Sequence, residues 1–335
     1  MEYRVLGKTG LKISRLGFGG IPIQRITAQE VRPLLEQMVA AGINYIDTAR
    51  AYTVSEEYLG SAMEGLRDNF ILATKSMSRT AEGMAADIDT SLKSLRTDRI
   101  ELYQIHNPSM AELDQVLAPG GAMEALEQAK QSGKIGHIGL TAHSLEVFRR
   151  GLELPQVETI MFPFNIVEDQ GLALIRECEK RNIGFIDMKP LAGGAIENAP
   201  VALRYILQEP AVTVVIPGMA TPAELAQNLA ACQQTGPLTP EEQAVVAQVK
   251  KDLVGNFCRR CNYCQPCTKG INISSCFLFE GYLSRYGLED WARTRYESLP
   301  VHASDCVDCG LCESRCPYQL PIRQMLKTVA QKFGK

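Results

Sequence analysis

Cysteine is scarce in most of this chain. Of its 335 residues, the first 257 hold only Cys178 and Cys232. Long apolar runs are missing as well. No stretch approaches the roughly 18 consecutive apolar residues of a membrane span, so no membrane partner is expected. The opening Met-Glu-Tyr-Arg has no signal-peptide pattern, and the expected location is the cytoplasm. An excess of one charge is also lacking. Lys and Arg number 35 against 38 Asp and Glu, a formal net charge of -3, and no long basic run occurs. That balance argues against a nucleic-acid surface. No Gly-x-Gly-x-x-Gly follows the first expected strand, which disfavours an open dinucleotide-binding sheet. Apolar residues make up 45% and charged residues 22%, values that exclude a largely disordered chain.

What is present alternates between two textures. Short apolar, β-branched runs are followed by amphipathic stretches of helical period. The expected strands are Arg15–Gly20, Tyr45–Ala49, Phe70–Lys75, Ile100–His106, Ile135–Thr141, Thr159–Asn165, Gly184–Lys189 and Val212–Pro217. Among the helices, Ala28–Ala41 carries Val31, Leu34, Leu35, Met38 and Val39 on one face, with a capping-box spacing at Thr27 and Glu30. Met84, Ile88, Leu92 and Leu95 mark another helix, and Ala122–Gln131 a third. Eight β-then-α units are the count of a closed (β/α)8 TIM barrel, which needs about 250 residues. Upstream, Tyr3–Leu6 and Leu11–Ser14 flank Gly7-Lys8-Thr9-Gly10, the pattern of a β-hairpin over the barrel floor. A helix capped at Thr239-Pro240-Glu241-Glu242 ends near Gly255, after which the composition changes. The expected division is an α/β barrel over 1–250 and a small cysteine-rich domain over 251–335.

Barrel chemistry collects at the carboxyl ends of strands. There the sequence places Asp47, Tyr52, Lys75 and His106. A lysine ammonium beside a tyrosine favours the phenolate, and so is expected to lower the phenol pKa from about 10. An aspartate would hold the lysine, and a histidine would orient a carbonyl oxygen.

Gly42-Ile43-Asn44-Tyr45-Ile46-Asp47-Thr48-Ala49, with Tyr52, Ser55-Glu56 and Leu59-Gly60, resembles the aldo-keto reductases. So do Leu72-Ala73-Thr74-Lys75 and Leu102-Tyr103-Gln104-Ile105-His106. The resemblance spans about residues 1–250. It implies a tetrad in which Tyr52 is the general acid, Lys75 tunes it, Asp47 pairs with Lys75, and His106 directs the carbonyl.

The same resemblance implies an NAD(P)H site, from which this chain departs. Thr141-Ala142 stands where the family has Ser-Asn, Met161 where it has Gln, and Met188 where an aromatic ring stacks on nicotinamide. Gly218, Met219 and Glu224 stand where Lys-Ser and Arg bind the 2'-phosphate of NADPH; Asn228 matches. Glu224 would repel a phosphate dianion and suit a ribose hydroxyl, which favours NADH; it also has the spacing of a helix cap after Thr221. The implied cofactor contacts are Thr141, Asn165, Met188, Lys189, Gly193, Gly194, Pro217, Gly218, Glu224 and Asn228. The departures leave room for flavin, with Lys189 as a cationic neighbour. His143 either lines this pocket or sits in an exposed loop.

Nine of the eleven cysteines lie between 258 and 316. They form Cys258-x-x-Cys261-x-x-Cys264-x-x-Cys267 and Cys306-x-x-Cys309-x-x-Cys312-x-x-x-Cys316-Pro317. The second is the bacterial ferredoxin run, whose fourth cysteine binds the other cluster. Eight thiolates serve two 4Fe-4S clusters. The expected sets are Cys258, Cys261, Cys264 and Cys316 for one, and Cys267, Cys306, Cys309 and Cys312 for the other. Cys276 is a spare that could replace Cys267. Two zinc sites are the competing reading, but zinc more often takes two separate Cys-x-x-Cys pairs. Between the runs, Gly281–Pro300 carries Tyr282, Tyr286, Trp291 and Tyr296 among charges, as expected of an amphipathic helix docking the small domain onto the barrel, with a partner-binding face as the alternative.

The whole chain resembles aldo-keto reductases with a C-terminal ferredoxin-like domain. It is therefore expected to be an oxidoreductase acting on a small-molecule carbonyl or alcohol, with clusters that exchange electrons with a one-electron carrier protein. The alternative is a redox-sensing or electron-transfer module on a non-catalytic barrel.

Overall fold

The computed structural model describes residues 1–335. It opens on a hairpin of β1 (Tyr3–Val5) and β2 (Lys12–Ser14), antiparallel with Tyr3 opposite Ser14. Gly7, at φ +53°, lets the hairpin meet the barrel floor: a Cβ there would lie 2.2 Å from the Gly184 nitrogen. Leu6 and Ile13 are thereby buried beneath the barrel interior.

Eight parallel strands follow: β3 (Phe18–Gly19), β4 (Tyr45–Asp47), β5 (Ile71–Ser76), β6 (Ile100–His106), β7 (Ile135–Thr141), β8 (Thr159–Pro163), β9 (Gly184–Met188) and β10 (Val214–Ile216). They pair in sequence order. The ring closes where Leu16 and Gly19 bridge to Val215 and Gly218. The fold is a (β/α)8 barrel. Its first strand is shorter than the sequence suggests because Gly17 sits where the closing strands crowd together. A Cβ at Gly17 would lie 2.9 Å from the Tyr45 ring.

Two apolar layers hold the ring. Tyr45, Ala73, Leu102, Met161, Ile186 and Val214 fill its interior. The outward-facing residues join the helices in a cluster of 50 buried side chains. Each fully buried Leu or Ile contributes about 1.5–3 kcal/mol, so this outer layer dominates stability. Helix Ala28–Ala41 shows how the sequence supplies it. Val31, Leu34, Leu35 and Met38 are buried, Glu30 accepts from the Thr27 amide at 2.8 Å, and Gly42 ends it at φ +74°.

Helix Pro240–Leu253 ends ahead of Gly255, at φ +82°. Phe257 then packs against Ile166, Val167 and Ala192 of the barrel. The cysteine-rich segment has its own core of 14 buried residues, including Ile271, Phe277, Tyr296 and Leu326. Gly281–Pro300 is not one helix. Helix Ile273–Ser284 stops, a turn through Tyr286 and Gly287 follows, and helix Glu289–Glu297 starts. Gly287, at φ +63°, makes the reversal possible. Arg285 and Tyr286 of this turn and Arg295 of the second helix reach the barrel, Arg295 donating to the Ala51 carbonyl at 3.1 Å. No helix is long and apolar enough to cross a membrane.

Candidate active site

The strand ends bring three of the four tetrad side chains into direct relation. Lys75 donates to the Asp47 carboxylate and, at 2.8 Å, to the Thr48 carbonyl. Gln104 donates to the other Asp47 oxygen at 2.9 Å. The Lys75 ammonium lies 4.9 Å from the centre of the Tyr52 ring. The His106 ring stands edge-on to Tyr52, with centroids 6.2 Å apart.

Burial governs the protonation states. It pulls both Asp47 and Lys75 toward their neutral forms, and their mutual charge opposes it. Burial, helped by the Asp47 charge, pushes the Tyr52 phenol well above its ordinary value. The expected lowering by Lys75 does not emerge, because burial of the phenol and the Asp47 charge dominate. Burial and then the cations Lys75, Arg79 and Lys189 hold His106 well below the usual imidazole range. At neutral pH the site therefore presents a protonated phenol and a neutral imidazole.

Asp47 and Tyr52 line a cavity of about 190 Å³ at the barrel mouth. Met161, Met188, Lys189, Gly193, Gly194 and Gly218 share it. Lys189 adopts φ +57°, and its carbonyl accepts from Asn165 at 3.0 Å and the Ala192 amide at 2.8 Å. Burial, and then Arg260, draws its ammonium well below the ordinary lysine value.

Four cysteines of the second expected set, Cys267, Cys306, Cys309 and Cys312, line one small cavity. Of the first set, Cys261 feels the charge of Cys316, and Cys264 those of Cys258 and Cys261. No three thiols converge closely enough to hold a single ion. A tetrahedral zinc needs that convergence; thiols spread around a cube do not. Beside the first set, Arg259 Nη1 and Arg260 Nε are buried without acceptors. Both suit the sulfides of a cluster. The residues present thus fit iron–sulfur cubes.

Comparison with known proteins agrees with this geometry. The profile of the Aldo/keto reductase family matches residues 15–200 and 196–251, and that of a 4Fe-4S dicluster domain matches 257–321. The chain belongs to the aldo/keto reductase family. It is an oxidoreductase. An L-galactose dehydrogenase of Arabidopsis thaliana is 26% identical over 296 residues, covering 73% of this chain and 92% of the relative. An aldo-keto reductase of Bacillus subtilis, YhdN, is 32% identical over 191 residues, 50% of this chain and 55% of its own. A putative aldo-keto reductase from Pseudomonas aeruginosa superposes with TM-score 0.62 at 30% identity, over 69% of this chain and 95% of that one. An aldo-keto reductase from Bacillus halodurans, at 24% identity and TM-score 0.65, shares the fold over 74% of this chain and 96% of its own.

In this reductase the expected cofactor contacts divide. Met188, Lys189, Gly193, Gly194, Gly218 and Glu224 line the cavity; Thr141, Asn165, Pro217 and Asn228 do not. Thr141 accepts from the Asn107 amide at 2.9 Å. Asn165 spends its amide on Glu168 and Lys189. The Pro217 carbonyl closes the barrel by accepting from Gly19, and Asn228 is buried on helix Pro222–Gln233. Glu224 makes its cap, accepting from Ala220 at 2.6 Å and Thr221 at 3.0 Å. Arg25, unnoticed in the sequence, stands 3.5 Å from its other oxygen.

His143 is not an exposed loop residue: its Nδ1 is buried and unpaired. Arg259 and Arg260 are also withdrawn from solvent. Arg259 donates to the Val167 carbonyl at 2.8 Å and stacks 4.0 Å over the Tyr318 ring. Arg260 donates to buried Glu168 at 3.2 Å. The reductase also builds its cavity with Arg285 and Tyr286, from the cysteine-rich segment. Sequence spacing carries no signal for contacts between residues so far apart.

Proposed function

We propose that the barrel interconverts a small carbonyl compound and its alcohol, with Tyr52 as the proton donor or acceptor. The observation that carries this reading is the arrival of Tyr52 and Asp47 in one cavity, with Lys75 bound behind Asp47. Tyr52 holds a proton at neutral pH and gives it to the carbonyl oxygen as that oxygen gains charge. The Asp47–Lys75 pair places a fixed dipole behind the ring. Neutral His106 donates a hydrogen bond to the same oxygen. Such positioned proton transfer contributes typically about 10²–10⁴ in rate.

A reduced nicotinamide, when bound, supplies the hydride. Met188 and Met161 offer it apolar faces, Gly193 and Gly194 border it where Tyr286 and Arg285 close in, and Lys189, whose charge burial and Arg260 disfavour, has no acidic partner in hydrogen-bond reach. Thr141, Asn165, Pro217 and Asn228 support such a site as its outer frame. NADH is favoured over NADPH because Glu224 faces the cavity, though Arg25 offsets part of its charge. A flavin would fit the same methionine-lined space. It would also join two-electron carbonyl chemistry to one-electron carriers.

The two sets of four thiols, Cys258, Cys261, Cys264 and Cys316, and Cys267, Cys306, Cys309 and Cys312, would hold 4Fe-4S clusters. These would exchange electrons with a carrier protein in the cytoplasm. The barrel over 1–250 and the cluster domain over 251–335 are then two functional halves. The test is anaerobic purification, with iron, sulfide and flavin analysis, followed by NADH-dependent aldehyde reduction. About eight irons and turnover that Tyr52→Phe abolishes support the reading. Undiminished turnover in that variant overturns it.

A further inference from the structure

We propose that Tyr286, carried by the cluster domain, forms an aromatic wall that binds the flat redox ring in the barrel cavity. The proposal rests on the oxidoreductase reading of that cavity and names a residue outside the barrel as part of it.

Two aromatic side chains line the cavity, Tyr52 and Tyr286. Tyr52 is committed to proton transfer. Tyr286 is therefore the remaining aromatic face available to a planar ligand. β9, on the cavity wall, ends in Met188, which has no such face. The Tyr286 hydroxyl makes no hydrogen bond, so nothing polar explains the placement of this side chain.

The ring is held in position from several sides. It meets Tyr282 edge to face, with centroids 5.4 Å apart and planes at 88°. Tyr282 in turn packs on Trp291 at 4.5 Å. The Tyr286 amide donates to the Gly281 carbonyl at 3.2 Å, and its carbonyl accepts from Arg25 at 3.4 Å. Next to it, Arg285 donates to the Gly193 carbonyl at 3.0 Å. Gly193 itself allows the approach. A Cβ there would stand 3.3 Å from the Tyr286 hydroxyl. The cavity thus has an ordered ring on one module and a glycine loop on the other, joined by direct hydrogen bonds.

An aromatic face recognises a flat, electron-poor ring by offset stacking, worth up to about 1.5 kcal/mol beyond the area it buries. That corresponds to about tenfold in affinity. Nicotinamide and isoalloxazine share this chemistry, and the experiment separates them.

Dissociation constants for NAD+ and for FMN would be measured on iron-loaded protein, with iron content as the folding control. The variants are Tyr286→Phe, Tyr286→Trp and Tyr286→Leu, with Tyr286→Met replacing the leucine variant if the latter loses iron. We expect Tyr286→Leu to weaken one probe about tenfold. The phenylalanine and tryptophan variants should stay within threefold of the parent. The probe that responds identifies the ring. Equal binding of both probes by the parent and Tyr286→Leu overturns the proposal. So does a loss in Tyr286→Phe as large as in Tyr286→Leu, which would assign the effect to the hydroxyl. If the parent binds neither probe, the cofactor reading of the barrel fails first, and this proposal falls with it.

Discussion

Arg260, two residues after a cluster cysteine, donates at 3.2 Å to Glu168, a carboxylate with no solvent exposure on the barrel side. Asn165 donates to the second Glu168 oxygen at 2.9 Å. The same Asn165 amide holds the Lys189 carbonyl. A continuous polar chain therefore runs from the cysteine-rich segment to the cavity wall. Removing one member of a buried ion pair leaves the other uncompensated, a loss of about 3–5 kcal/mol. Glu168→Gln is expected to lower the thermal midpoint by several degrees and to expose the segment after residue 255 to limited proteolysis. A midpoint within a degree of the parent would show that the pair does not hold the two halves together.

Tyr52 predicts an unusual pH profile. Burial and the Asp47 charge keep its proton in place well above the ordinary phenol value of 10. His106 stays neutral because burial and neighbouring cations disfavour its charged form. Carbonyl reduction should therefore show no limb near pH 6.5 from either group. Its alkaline limb should lie above pH 10. Steady-state kcat/KM between pH 6 and 10 tests this. A limb centred near 7 that survives in Tyr52→Phe would give the proton to another group.

Four of the strand spans could be read almost to the residue. Ile100–His106 and Ile135–Thr141 coincide with their expected runs, because apolar and β-branched residues recur along each and polar turns bound them. The helices Ala28–Ala41 and Ala122–Gln131 could be read as well, the first from its apolar period and capping box, the second from the Pro119-Gly120-Gly121 turn that precedes it. The first barrel strand was overestimated. Its length is set by closure against Val215 and Gly218, a contact about 200 residues distant. The site divides in the same way. Asp47, Tyr52 and Lys75 are legible because local strand-end position brings them together. Arg25, Glu168 and Tyr286 matter through contacts between distant segments, for which composition and period give no sign. The Tyr52 protonation state was misread because a sequence shows that a lysine is near, but not how deeply the phenol is buried or that the Asp47 charge lies beside it.

The cysteines make a separable prediction. In the proposed assignment Cys264 and Cys309 hold different clusters; Cys309 faces solvent while Cys276 is fully buried in the small core. Cys264→Ser and Cys309→Ser should each cost about half the bound iron, because a cube that loses one of its four thiolates is lost whole. Cys276→Ser should retain all of it. Loss of iron in Cys276→Ser with retention in Cys267→Ser would move the eighth ligand to Cys276. Iron and sulfide analysis on anaerobically prepared protein decides among these outcomes.

Acid stability should depend on Glu158, away from both sites. Burial alone would raise its pKa, but bonds from Lys130 at 2.5 Å, His137 at 2.8 Å and the Ile138 amide at 3.2 Å outweigh it and draw the carboxyl down to about 2. The folded state thus binds a proton here less readily than the unfolded chain, whose value is near 4.5. The stabilisation is complete above that unfolded value. It is lost as pH falls from about 4.5 through about 2, where the folded group also takes up its proton. Lys130 is 41% exposed, so solvent screening keeps the contribution to the order of 1 kcal/mol. Glu158→Gln removes a carboxylate that is charged in both states at neutral pH. It should lower stability at pH 7 and shallow the loss between pH 4.5 and 2. Denaturant midpoints at pH 7, 4.5 and 3 measure this. Parallel acid limbs for parent and variant would place the acid sensitivity at other carboxylates.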